Sequence, residues 1–271
     1  MWWPLLRGLP SLVADSVTAE EPRDPEHAQG SGRLGKRILP FRVRLVRTYD
    51  HLRRAVEVRR DAYARHLPTL AQILEDAENS DCTANSVVFL AESKETGEAV
   101  GTMRIATNIG APVEFETALT LPPQFRDTTI AHVARLGVRN GRDATLVKLA
   151  LFKALHRYCL ALQVEWMMVG AHPPIDRLYT QLGFVDVFDG APLVTIPSAP
   201  AYEVRVMAFS VDAAERDWRE HRHPLYDFMI NEYCPDIEIF NSVSSMWARP
   251  RQAEVDNSAF QSSSTPAKAI Q

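Results

Sequence analysis

Cysteine is scarce in this sequence. The 271 residues include three, Cys82, Cys159 and Cys234, which lie far apart in the chain. They form neither a C-x-x-C motif nor the Cys/His spacing of a zinc site, and an odd number excludes a framework in which every cysteine is paired. We therefore expect reduced thiols in a cytoplasmic protein, with no disulfide framework and no metal site.

A surplus of positive charge is also absent. The chain has 30 Lys and Arg residues against 34 Asp and Glu residues, so its formal net charge is −4. Proteins that bind phosphate backbones carry basic patches that neutralise those phosphates. The composition therefore argues against a nucleic-acid partner.

Long hydrophobic runs are missing as well. A bilayer-spanning helix needs about twenty consecutive apolar residues, and the chain has no such run. The opening residues MWWPLLRGLPSLV are apolar, but Pro4, Arg7 and Pro10 interrupt them, so they do not match a signal peptide. Two interpretations remain for this segment: a mobile tail, or a weak peripheral membrane contact through its tryptophans and leucines.

The remainder has the composition of a globular protein, with 46% hydrophobic and 24% charged residues. Both ends of the chain are rich in polar residues, proline and serine and poor in large apolar ones, which favours disorder. We expect a disordered extension at 1–37, one folded domain at 38–247 and a disordered tail at 248–271.

Hydrophobic periodicity predicts alternating strands and helices in this domain. Asp50 is the expected N-cap of the first helix and Asp143 that of the long helix, while Gly183 should end the short helix. The order is that of a mixed α/β (α+β) fold, in which a crossover helix joins two parallel strands. The predicted strands are 40–47, 86–93, 99–107, 129–138, 164–172 and 202–211, and the predicted helices are 50–63, 144–162, 174–184 and a segment within 214–229.

Four consecutive segments resemble the core of the GNAT-type N-acyltransferase superfamily: ARLGVRNGRDA, LVKLALFKALHRYCLAL, VEWMMVGA and LYTQLGF. The resemblance implies a central sheet flanked by helices, with a splayed strand pair that forms the acyl-thioester cleft. Backbone groups of the cleft would bind the amides of a pantetheine arm, and the start of the long helix would bind its phosphate. The implied acyl-carrier-binding residues are Leu136, Gly137, Val138, Arg139, Gly141 and Arg142.

The loop before the long helix departs from the usual acetyl-CoA pattern, Gln/Arg-x-x-Gly-x-Gly/Ala. Here the residues are Arg139-Asn140-Gly141-Arg142-Asp143-Ala144, with glycine one place early. The donor can therefore be acyl-carrier protein or coenzyme A, each as a co-substrate, and no tightly bound cofactor is expected.

A second resemblance concerns the N-acyl amino acid synthases and the related acyl-homoserine-lactone synthases. It rests on VEVRRDAYARHLP, the acidic stretch EDAENSD, GEAVGTMRI and HVARLGV. It implies substrate-binding roles for Arg59, Tyr63 and Asp81, and catalytic-site roles for Arg104 and Arg135, which would bind an acceptor carboxylate or brace the site.

His132 marks a departure from these families, which usually have Glu three residues before the arginine of this strand. Alternation predicts His132 on the face of Ile130 and Ala134, and Arg135 on the face of Ala131 and Val133. A histidine can serve as a general base near neutral pH. A structural histidine, a different amine or lost activity are the alternatives.

Tyr179, in the Y-x-x-L-G-F motif, has two candidate roles. It is either a core aromatic or the acid that protonates the leaving thiolate.

The resulting hypothesis is an N-acyltransferase that moves a long-chain acyl group from a carrier thioester to the amino group of an amino acid or a related amine. One alternative is an autoinducer synthase that makes a lactone from S-adenosylmethionine. Another is a non-catalytic acyltransferase-like module that binds an acyl carrier.

Overall fold

The structure is a computed structural model that describes residues 35–240. The strands are β1 (Gly35–Lys36), β2 (Phe41–Leu45), β3 (Ser86–Ser93), β4 (Ala99–Thr107), β5 (Ile130–Val138), β6 (Trp166–Ala171), β7 (Val185–Asp186), β8 (Leu193–Thr195), β9 (Glu203–Ser210) and β10 (Glu232–Tyr233). The α-helices are α1 (Tyr49–Ala64), α2 (Pro68–Ile73), α3 (Glu114–Ala118), α4 (Ala144–Ala161), α5 (Asp176–Leu182) and α6 (Ala214–Glu220). Short 3-10 turns lie at Asn79–Asp81 and Pro123–Phe125, and a π-helical turn lies at Asp227–Asn231.

One mixed sheet forms the centre of the fold, in the order β2-β3-β4-β5-β6-β9-β7, with β8 also paired to β9. Its neighbours are antiparallel except β5 and β6, which are parallel and joined through α4. The predicted fold class is confirmed. The β3–β4 hairpin has the predicted bounds, and α4 ends one residue earlier than predicted.

The two long helices cover opposite faces of this sheet. Residues of β3 alternate between them: Phe89 belongs to the core under α4, whereas Val88 and Leu90 pack with α1. Two glycines permit close approach on these faces. A Cβ on Gly101 would lie 2.4 Å from Val147 Cγ1 of α4, and a Cβ on Gly137 would lie 3.1 Å from Arg59 Cα of α1.

The helix ends agree only partly with the predictions. Thr48, rather than Asp50, caps α1, because its Oγ1 accepts a hydrogen bond from the His51 N–H at 3.2 Å. Asp50 lies in the first turn, where it bonds Arg53 at 3.0 Å. Asp143 occupies the N-cap position of α4 without a side-chain capping bond, and Gly183 ends α5 in the left-handed region at φ 99°.

The described residues include most of the domain expected at 38–247. Gly35 and Lys36, inside the segment expected to be disordered, pair in parallel with Glu232 and Tyr233. The apolar opening segment and the tail at 248–271 lie outside the described residues. Among helices within 35–240, none has the length and apolar character to cross a membrane.

Candidate active site

The parallel strands β5 and β6 separate partway along their length. They pair from Ile130 and Trp166 to Val133 and Val169, and their remaining residues are not paired with each other in the described sheet. A cavity of about 440 Å³ opens there and reaches under α1. The splayed pair expected from the resemblance is therefore present.

The cavity combines an apolar lining with a few polar side chains, which is typical of small-molecule sites. The apolar residues include Leu67, Leu70, Leu136, Ile175, Ile196 and Val204. The polar residues include Tyr63, His132, Arg135, Tyr179, Ser198 and Tyr202. Arg65, His66 and Asn140 line its exposed margin.

A buried ion pair lies beneath α1, next to the cavity. Arg59 has no exposed surface and donates to both oxygens of Asp81 at 3.0 Å each. Burial by itself would raise the pKa of Asp81, but the hydrogen bonds and charge of Arg59 outweigh it, so this pKa lies below its ordinary value. Arg59 and Asp81, predicted to bind substrate, thus bind each other, while Tyr63 from the same set lines the cavity.

Glu78 joins this pair to two further arginines, and the sequence did not single it out. Its Oε2 accepts from Arg104 at 3.0 Å and from Arg135 at 2.7 Å, and its Oε1 accepts from Arg135 at 2.6 Å. Burial opposes ionisation of Glu78, yet the Arg135 hydrogen bonds keep its pKa lowered. Arg104 and Arg135, predicted to bind an acceptor carboxylate or to brace the site, thus both donate to Glu78.

A bulge in β5 brings Arg135 to this cluster, which corrects the predicted alternation. Arg104 pairs with Ala134 and Thr102 pairs with Gly137, so two residues of β5 stand opposite Met103. Arg135 takes the left-handed conformation at φ 57°. Its side chain therefore leaves the face of Ala131 and Val133 and reaches the same carboxylate as Arg104.

His132 lines the cavity and is almost completely buried, with 7% of its side chain exposed. Its ring packs against Phe115 with centroids 4.4 Å apart. Burial, together with the charges of Arg104 and Arg135, lowers its pKa to about 3. The imidazole is therefore neutral throughout the neutral pH range, instead of being half protonated near its ordinary pKa.

Glu114, at the start of α3, is a carboxylate beside His132 that sequence reasoning missed. Its Oε2 lies 3.8 Å from His132 Nε2. Ser198 donates to it twice, from its N–H at 2.5 Å to Oε1 and from its hydroxyl at 2.7 Å to Oε2. The Ser198 carbonyl in turn accepts from Arg135 at 2.9 Å. Glu114 and Ser198 stand outside the periodic segments, and no motif marks them.

Tyr63 and Tyr179 both line the cavity, and burial raises the pKa of each phenol. Tyr179 also packs edge-on against Phe184 at 5.2 Å. It is thus a core aromatic and a cavity residue at once, and it is protonated at neutral pH.

Only some of the residues implied for carrier binding line the cavity. Leu136 and Val138 line the cavity, whereas Gly137 lies against α1. Arg139 bonds Asp61 at 3.2 Å, and the Arg142 side chain is 92% exposed. The carbonyl of Gly141 accepts from the Ala144 N–H at 3.2 Å in the turn before α4. Asn140, Ala144 and Lys148, which were not predicted, line the cavity at this end.

The side chains of His221 and His223 both contact backbone carbonyl groups. His221 Nδ1 lies 2.7 Å from the Asp217 carbonyl, and His223 Nε2 lies 2.8 Å from the Gln181 carbonyl. In the part of the chain that the structure describes, no group of three or more His, Cys, Asp or Glu side chains is placed to bind a metal ion.

Similar proteins are found only among solved structures, since no protein-family model and no curated protein sequence matches the chain. FeeM, an N-acyl amino acid synthase from uncultured soil microbes, is 16% identical over 70% of this chain and 98% of its own, with a TM-score of 0.49. BjaI, a CoA-dependent acyl-homoserine lactone synthase solved with SAM and isopentyl-CoA, is 16% identical over 72% and 93%, with a TM-score of 0.49. Arabidopsis thaliana NAA60 in complex with acetyl-CoA is 16% identical over 64% and 99%, with a TM-score of 0.43.

These structures include both synthase families named from the sequence. The similarity concerns the fold. Identities of 16% do not assign a donor, an acceptor or a reaction to this chain.

Proposed function

We propose that the protein is an N-acyltransferase that moves an acyl group from a carrier thioester to the amino group of an amino acid or a related amine. The observation that carries this proposal is the cavity between the separated ends of β5 and β6. One edge of β5 pairs with β4, and beyond Val133 its other edge faces this cavity. A pantetheine arm, which is built of amides, can therefore add alongside it as a strand would.

The phosphate end of the donor would lie at the start of α4. Asn140 and Ala144 line the cavity there, and Lys148 follows one turn later. The first amides of a helix lack partners within the helix and favour an anion. We take acyl-carrier protein as the donor and a coenzyme A thioester as the alternative, because both carry the same phosphopantetheine arm.

The apolar lining supports a long acyl chain. Each methylene group buried against residues such as Leu67, Leu70 and Ile175 contributes about 0.8 kcal/mol. A backbone amide near Gly137 and Val138 would polarise the thioester carbonyl.

The reaction needs one group that accepts a proton and one that donates a proton. The amine attacks the thioester carbon, the C–N bond forms and the C–S bond breaks. His132, neutral in the cavity, accepts the proton from the amine, and the Tyr179 phenol donates one to the departing thiolate. Solvent then carries the proton from the imidazolium to the phenolate, which restores both side chains.

Mass spectrometry of lipid extracts from a bacterial host tests this proposal. Hosts would express the wild-type chain, His132→Ala, or His221→Ala, whose histidine is exposed and outside the cavity. We expect new N-acyl amino acids with the wild type and His221→Ala, and none detectable in the extracts with His132→Ala, which should keep only a small residual rate as purified protein. New products in all three would remove His132 as the base.

The mass of the product also separates the alternatives. A homoserine lactone would indicate an autoinducer synthase instead. No product with the wild type, even when purified protein is given decanoyl-CoA or decanoyl acyl-carrier protein and the twenty amino acids, would favour a binding module.

A further inference from the structure

The His132 ring has charged neighbours of both signs. Arg104 of β4 and Arg135 of β5 disfavour a positive charge on it, and both arginines are held by Glu78. Glu114 of α3 also lies near this ring, with its Oε2 3.8 Å from Nε2. An imidazolium formed during the reaction would therefore meet two like charges and one opposite charge.

Glu114 is oriented more firmly than a surface carboxylate. Both of its oxygens accept hydrogen bonds from Ser198, and its side chain is 17% exposed. The Arg135 guanidinium fixes Ser198 in turn through its carbonyl.

A second carboxylate of the same helix provides a contrast. Glu116 accepts from the Val113 N–H at 2.8 Å and from Asn108 Nδ2 at 3.0 Å, so it caps α3 and ties it to the residue that follows β4. Glu114 makes no contact of this kind within the described residues. It extends instead toward Ser198 and His132, which both line the cavity.

We propose that Glu114 and His132 act as one unit in the proposed acyl transfer, with His132 accepting the amine proton and Glu114 stabilising the imidazolium that results. The inference rests on the proposed function. The present separation is too long for a hydrogen bond, and a shift of about 1 Å would convert it to a charge-assisted bond. Glu114 acts through His132 and is therefore a positioning residue.

The families that this sequence resembles usually have a glutamate at the position of His132. A carboxylate lies beside the cavity residue His132, but it comes from α3 rather than from β5. The proton that leaves the amine nitrogen is bound by the His132 ring, and the charge it brings is balanced by Glu114 without any change in the arginine cluster.

A double-mutant cycle tests the proposal on the purified full chain. The wild type, Glu114→Gln, His132→Ala and the double variant would be assayed with decanoyl acyl-carrier protein or decanoyl-CoA and a mixture of the twenty amino acids, putrescine and ethanolamine. We expect Glu114→Gln to lower kcat about 10- to 100-fold with KM for the donor little changed. The double variant should be no slower than His132→Ala alone, because residues that act as a unit are not additive.

Controls separate this effect from misfolding. Glu116→Gln removes a carboxylate from the same helix and should lower the melting temperature while kcat stays within about threefold of the wild type, since its role is capping. Glu114→Asp should recover part of the lost rate. If Glu114→Gln falls below the wild type in melting temperature, Ser198→Ala, which removes one donor to Glu114, is the second test and should lower kcat without abolishing it.

The outcomes are distinguishable. Wild-type rates in a folded Glu114→Gln, or losses that multiply in the double variant, would overturn the pairing and leave the N-acyltransferase intact. Absence of any N-acyl product with the wild type would overturn the proposed function itself and the pairing with it.

Discussion

At the scale of single residues, burying the charges of the Arg59–Asp81 pair costs desolvation free energy. Arg59 and Asp81 have no exposed side-chain surface, and two hydrogen bonds join them. Removing one partner of a buried pair leaves the other charge uncompensated, which is far costlier than removing both.

Asp81→Asn should therefore destabilise the domain by about 3 kcal/mol, because Arg59 would keep its charge and lose the buried carboxylate that accepts from both of its terminal nitrogens, with only Glu78 left at 3.3 Å. Urea unfolding gives the change in free energy. Asp61→Asn is the matched control, since Asp61 pairs with Arg139 at the surface and such pairs contribute less than about 1 kcal/mol. Equal losses in the two variants would show that the Arg59 pair is no more important than a surface one.

His156 links stability to pH. It is buried in α4 beside Trp218 and Phe209, and no partner for its Nε2 occurs in the described part of the chain. Burial lowers its pKa from 6.5 to about 4. The unfolded chain thus binds a proton more readily than the folded one between these values, and stability falls as pH falls through this window.

Between pH 7.5 and pH 5 the wild type should lose about 2 kcal/mol more stability than His156→Phe, which has no group to titrate there. Urea unfolding at both pH values measures the difference. His221→Gln, at an exposed position, should follow the wild type. Parallel behaviour of all three proteins would rule out His156 as the source.

At the scale of elements, close contacts between helix and sheet depend on glycine, which has no side chain. Gly101→Ala would place a Cβ 2.4 Å from the Val147 side chain of α4. Val147 is β-branched and has little freedom to turn away. We expect a loss of about 1 to 3 kcal/mol in the free energy of unfolding.

Gly141→Ala is the control for that variant. No atom lies within 4 Å of a Cβ built on Gly141, so its stability should be unchanged or slightly raised. Thermal unfolding of Gly101→Ala and Gly141→Ala under the same conditions tests both expectations. A stable Gly101→Ala would mean that α4 can move away from β4.

Elements were also where sequence reasoning was strongest. Turn residues between β3 and β4, and the length and Leu/Ala content of α4, placed these three elements within one residue of their observed bounds. Periodicity failed at Arg135, because alternation assumes a regular strand and a bulge moves the side chain to the other face. Glu78 and Glu114 were missed for a related reason: Glu78 precedes a three-residue 3-10 turn and Glu114 begins the five-residue helix α3, and neither segment is long enough to show a repeating pattern.

At the scale of the whole molecule, the cavity exists because two strands that begin as neighbours end apart. Ala134 stands on the wall of β5 just beyond the last β5–β6 pair. Ala134→Phe should fill the space beside it and exclude a pantetheine arm while the sheet stays intact.

Thermal unfolding in the presence of decanoyl-CoA measures whether Ala134→Phe prevents thioester binding. A ligand that binds only the folded state raises the melting temperature, so the wild type should show a rise of several degrees that Ala134→Phe lacks. Ala111→Phe, at an exposed position outside the cavity lining, should respond like the wild type. If decanoyl-CoA raised the melting temperature of Ala134→Phe as much as that of the wild type, the thioester would bind outside this cavity.

The bond between Arg135 and Ser198 has a consequence for how the protein is made. These partners are 63 positions apart, and Ser198 also orients Glu114, which precedes it by 84 positions. On the ribosome, Arg59, Glu78, Asp81, Arg104 and Arg135 all emerge before Ser198 does. A nascent chain that stops short of this serine would already contain the arginine cluster but not the loop that orients Glu114, so the site is completed late in synthesis.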